Sequence, residues 1–125
     1  MIKILLFGGD RLKEDVPLTL VADHLTKKKI KFIIITDKSR LNKSSKKSGT
    51  FKNLLKRKKY KFIIFDKLNE KKVVSLIDKD TFGLSLNSTW KFKNKLINSF
   101  RGKFYNYHAA DMLQERGSGN ISWKI

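Results

Sequence analysis

The sequence predicts a doubly wound α/β domain with a mostly parallel, Rossmann-like sheet of about five strands, and three observations predict it. Short β-branched or aromatic runs alternate with stretches of helical spacing, which implies βαβ crossovers. The runs are almost continuously apolar, as strands covered on both faces must be. A chain of 125 residues suits one domain and is short for two.

Each element follows from its residues. Ile2 to Phe7 is apolar except for Lys3 and stops at Gly8-Gly9, which reads as a buried first strand. Leu18, Val21, Ala22 and Leu25 then share a helical face, with Pro17 at a first-turn position and Lys27 to Lys29 at the end that favours cations. Phe32 to Thr36 predicts a second strand. Residues 38–49, rich in Lys and Ser and closed by Gly49, predict a loop. Phe51, Leu54 and Leu55 predict a short helix and Phe62 to Phe65 a third strand. Val73, Val74, Leu76 and Ile77 fit another helix before a fourth strand at Phe82 to Leu86. Phe92, Leu96, Ile97 and Phe100 line one helix face, and Phe104 to Tyr107 predicts the fifth strand. No internal repeat and no second domain are read.

Composition excludes several classes. The absence of Cys rules out a disulfide scaffold, a Cys-ligated zinc site and a thiol nucleophile, and two His leave little scope for a metal site. No apolar run approaches the roughly 20 residues of a membrane-spanning helix. Met1 to Gly8 is too short for a signal-peptide core, so a soluble, cytoplasmic protein is expected.

The net charge of +18 is concentrated: residues 27–61 hold fifteen of the 29 basic residues and one acid, Asp37. Two explanations stand. One is a phosphate-binding face for RNA, a nucleotide or another polyanion. The other is compositional drift in a chain rich in Lys, Ile, Asn and Phe. By spacing, Phe32, Phe51 and Tyr60 form no stacking platform of the kind a single-strand binder uses.

Ligands of such sheets bind beyond the carboxyl ends of the strands. Gly8-Gly9-Asp10 follows the first strand but lacks the spacing of a dinucleotide fingerprint or a P-loop; a tight turn and the lining of a cleft are its two readings. His24, within an apolar helix face, is set aside. Asn106 and His108 alternate at the end of the fifth strand, where an amide donor and an imidazole can bind a carbonyl oxygen and move a proton. Arg116-Gly117-Ser118-Gly119 brings a cation and flexible backbone after them, and a helix is expected near Ile121.

The stretch Asn106-Tyr107-His108-Ala109-Ala110-Asp111-Met112-Leu113-Gln114-Glu115-Arg116-Gly117-Ser118-Gly119 resembles the active-site segment of the folate-dependent formyltransferases, whose pattern is Asn-x-His, a small residue, Leu-Pro and then Arg-Gly. The family includes methionyl-tRNA, glycinamide ribonucleotide and sugar-nucleotide enzymes. The resemblance implies formyl transfer from N10-formyltetrahydrofolate to a primary amine of a small molecule or tRNA, with a sugar nucleotide or methionyl-tRNA as the acceptors considered. It implies that Asn106 donates to the formyl oxygen and that His108 stabilises the oxyanion or protonates the leaving nitrogen. Asn87, Ser88, Thr89 and Trp90 would border the folate, while Arg116, Gly117, Gly8 and Gly9 would meet the acceptor. Ala110 stands where Ser or Gly is usual, and Met112-Leu113 where Leu-Pro is common. The family's aspartate follows the histidine by some tens of residues, so this chain is expected to be the front part of such a domain, with little turnover alone. The rival expectation is a non-enzymatic basic module that binds RNA or another polyanion.

Overall fold

The structure, a computed structural model, describes residues 1–8, 17–41, 44–45, 49–86, 90–107 and 121–124. Its strands are β1 (Lys3–Gly8), β2 (Lys31–Asp37), β3 (Ser44–Ser45), β4 (Gly49–Thr50), β5 (Phe62–Phe65), β6 (Thr81–Leu86), β7 (Phe104–Tyr107) and β8 (Ile121–Lys124). Its helices are α1 (Pro17–Lys27), α2 (Lys38–Leu41), α3 (Phe51–Lys58), α4 (Glu70–Ser75) and α5 (Asn94–Ser99). Six strands form the main sheet in the order β5-β2-β1-β6-β7-β8. The first five are parallel, and β8 runs antiparallel to β7. In chain order the parallel strands read 3-2-1-4-5, the arrangement of a Rossmann-like doubly wound sheet with its switch between β1 and β6.

Alternation along the strands divides the core in two. Leu6, Ile34 and Leu86 pack with Leu18, Ala22 and Leu25 of α1 and Phe51, Leu54 and Leu55 of α3. Leu5, Phe7, Ile33, Ile35, Phe65 and Phe104 pack on the other side with Val73 of α4, Leu96 of α5 and Phe100. Both faces of β1 and β2 are therefore buried, which explains their unbroken apolar runs. The second layer centres on Phe7, whose ring lies 5.1 Å from Phe92, 6.3 Å from Phe100 and 6.0 Å from Phe104, edge-on to the first two. A Cβ at Gly83 would come within 2.6 Å of Phe104 and 2.8 Å of Phe100, so the missing side chain there makes room for the rings.

Local chemistry sets the helix ends. The Thr50 side chain accepts from the Asn53 N–H at the start of α3, and the Asn69 side chain from the Lys72 N–H at the start of α4. At one end of the sheet α1 and α3 are joined by Asp23, which accepts from Lys58 Nζ at 2.8 Å and from the Tyr60 hydroxyl. Burial would raise the Asp23 carboxyl, but hydrogen bonds from Lys58 and Tyr60 and the Lys58 charge outweigh it and hold it below the ordinary carboxylate value. A lowered carboxylate contributes stability above its unfolded value, and the contribution disappears as pH falls through the folded value. With both partners about one-third exposed, Asp23→Asn should cost about 0.5 kcal/mol at pH 7 and almost nothing near pH 2. Urea unfolding at the two pH values measures this, and an unchanged difference would remove the ion pair from the account.

Two expectations are corrected. The predicted loop over 38–49 holds one turn of helix, α2, and the start of a two-residue antiparallel ladder between β3 and β4. No Gly or Pro occurs between 38 and 48, so the backbone there is free to take regular structure. The helix expected near Ile121 is instead β8, with Ile121 opposite Tyr107 and Trp123 opposite Tyr105. Ile-Ser-Trp-Lys alternates apolar and polar residues, the pattern of a strand at a sheet margin. Among the described residues no helix is long and apolar enough to cross a membrane.

Candidate functional site

The carboxyl ends of β1, β6 and β7 meet at the switch point, and the local sequence makes that end polar. One row across the sheet runs Ile63, Ile35, Phe7, Ser85, Asn106 and Ser122, by direct register from each strand to the next. Side chains in one row of a parallel sheet share a face, so Ser85 and Asn106 stand on the Phe7 side. The row changes from apolar to polar as it passes from β1 to β6. Asn106 is half-buried, and Ser85 is buried with a hydroxyl that has no hydrogen-bond partner among the described residues.

Gly8 lies in the next row, opposite Leu86, which pairs in turn with Tyr107. Its φ of 135° suits glycine alone, and a Cβ would fall 2.1 Å from the Leu86 carbonyl oxygen. Gly8 therefore serves the close approach of β1 and β6, and its backbone lies about 10 Å, two strand spacings, from β7. On β2, Thr36 is also buried without a partner for its hydroxyl among the described residues, and buried Asp37 accepts a 2.5 Å hydrogen bond from Ser39.

No protein-family model matches the chain, and no curated protein is significantly similar to it.

Trp90 lies elsewhere. Its indole packs edge-on to Phe65 at 6.4 Å, over the β5 edge of the sheet. Three strands separate β5 from β7, about 19 Å at roughly 4.8 Å per strand, so Trp90 and Asn106 are not brought together. Phe92, two residues later, reaches Phe7 and Phe104 instead. Trp90 forms one wall of a groove of about 860 Å³ with Leu68 and Val74 and a rim that includes Lys67, Lys71, Lys91, Lys93 and Lys95. Its size is that of a small-molecule site.

Of the residues singled out in the sequence, Gly8, Trp90 and Asn106 are therefore placed. Gly9, Asn87, Ser88, Thr89, His108, Arg116 and Gly117 lie outside the described residues. Ser85 was missed, although its position in an otherwise apolar strand was the available signal. Among the described residues no group of His, Cys, Asp and Glu is arranged to hold a metal ion.

Proposed function

We propose that this chain is a folate-dependent formyltransferase domain, moving a formyl group from N10-formyltetrahydrofolate to a primary amine, with a sugar nucleotide or methionyl-tRNA as the acceptor class. The observation that carries the reading is Asn106, half-buried at the carboxyl end of β7 and in register with the buried Ser85 hydroxyl. The Rossmann-like strand order supports it by directing ligands to this end. As the amine attacks, charge grows on the formyl oxygen, and the Asn106 side-chain amide is a preformed donor to it. Ser85 supplies an O–H as a second donor in the same row, already removed from water. His108, two residues beyond Asn106, takes the proton-transfer role that the Asn-x-His resemblance implies.

The test is a calorimetric titration with a stable formyl-folate analogue, alongside an assay of formyl transfer to amines. Weak but saturable binding is expected, weakened at least tenfold further by Asn106→Ala, with little formyl transfer by the chain alone. Ser85→Ala removes a buried hydroxyl that has no partner among the described residues, so it should stabilise the fold by about 1 kcal/mol while weakening the analogue. A folded chain that shows no saturable response overturns the proposal.

A further inference from the structure

The amino end of the sheet, opposite the Asn106 row, carries the inference. Two of the basic runs converge there because β2 and β5 are neighbours. Lys28-Lys29-Ile30-Lys31-Phe32-Ile33-Ile34-Ile35 and Lys58-Lys59-Tyr60-Lys61-Phe62-Ile63-Ile64-Phe65 are near copies thirty residues apart, a short repeat that corrects the expectation of none. Each enters its strand through the same turn. Ile30 N–H donates to Leu25 O and Lys29 N–H to Thr26 O; Tyr60 N–H donates to Leu55 O and Lys59 N–H to Lys56 O. Lys29 and Lys59 take the left-handed conformation, with φ 57° and 59°, where glycine is the usual and less strained choice. Between the turns lies a groove of about 380 Å³ floored by Phe32 and Tyr60, whose rings meet at 5.3 Å. Lys29, Lys31, Lys59 and Lys61 line it, and no carboxylate pairs with any of them among the described residues. Asp23 engages Lys58, while Asp78 and Asp80 face Lys3 and the Met1 amine on the β1–β6 side.

We propose that this groove is a docking site for single-stranded RNA, with one base against Phe32 and Tyr60 and the adjacent phosphates on the two lysine turns. Two rows of cations flanking an aromatic floor match a phosphate backbone with a base between its charges. RNA loops and ends present such splayed bases, whereas a duplex hides them. An anionic membrane surface fits less well, because Met1, Ile2, Leu20 and Ile64, the exposed large apolar residues among those described, do not line the groove. The site is independent of formyl transfer and shares no residue with it.

Fluorescence anisotropy with a labelled twelve-nucleotide oligouridine tests the proposal. The double variant Lys29→Gly/Lys59→Gly removes two cations while relieving two left-handed residues, so it should fold at least as well as the parent. It is expected to bind at least tenfold more weakly and to reduce the salt slope by about 0.7 per lysine. Tyr60→Leu should lower affinity about tenfold through lost stacking. An equal loss from Lys71→Ala/Lys72→Ala in α4 would show diffuse charge and overturn the proposal. Tighter binding of duplex RNA, of single-stranded DNA or of anionic vesicles than of the oligouridine would do the same.

Discussion

Gly8→Ala is expected to cost about 3–5 kcal/mol and to lower Tm by roughly 10–20 °C. Two independent effects add at this position. The φ of 135° excludes a side chain on steric grounds, and the new Cβ would fall 2.1 Å from the Leu86 carbonyl oxygen. The obstructing atom is backbone, so no rotamer change relieves the contact. Relief requires the ends of β1 and β6 to separate, which opens the ladder at the switch point. Circular dichroism during thermal unfolding measures the loss. A shift smaller than about 3 °C would mean that the two strands part without penalty and that Gly8 is not what holds them together.

Phe7→Ala should be of similar size, about 3–5 kcal/mol. Phe7 is fully buried and touches Phe92, Phe100 and Phe104, which belong to the α5 side of the sheet. Removing its ring leaves a cavity that the two neighbouring strands, β2 and β6, cannot close, because their backbones are fixed by the ladder. Phe7→Leu retains most of the volume and should lose far less. Denaturant unfolding followed by circular dichroism separates the two variants, and equal losses would show that burial alone, without ring packing, sets the stability here.

Much of this fold was legible in the sequence because its central strands are covered on both faces. Such strands leave nearly continuous apolar runs, and Ile4 to Phe7 or Phe32 to Ile35 announce themselves without knowledge of any partner. Ile121 to Lys124 is different. It pairs with β7 only, at the margin of the parallel core, and four residues of mixed polarity do not distinguish a marginal strand from a helix start until the partner is known.

The candidate sites follow the same division. Asn106 stood out because a polar residue at the end of an aromatic strand is visible locally. Ser85 acquires its meaning only from register with Asn106. Trp90 was grouped with the Asn106 end by its position after β6, but its indole packs on Phe65 at the β5 edge. The pairing of Phe32 with Tyr60, which spacing alone gave no reason to expect, depends on β2 and β5 being adjacent.

The position of β5 at the margin of the sheet also bears on how molecules of this chain behave towards one another. Among the described residues β5 has a ladder partner on one side only, its four residues are Phe, Ile, Ile and Phe, and Ile64 is 40% exposed. Such a strand is a template for cross-β addition of a second chain. Lys59, Lys61 and Lys67 bracket it as gatekeepers, so mutual repulsion between approaching copies opposes that addition. The protection is electrostatic and therefore conditional: concentrated salt screens it, and a bound polyanion neutralises it. Colloidal stability in this protein is thus tied to its ionic surroundings, and low ionic strength favours the dispersed chain.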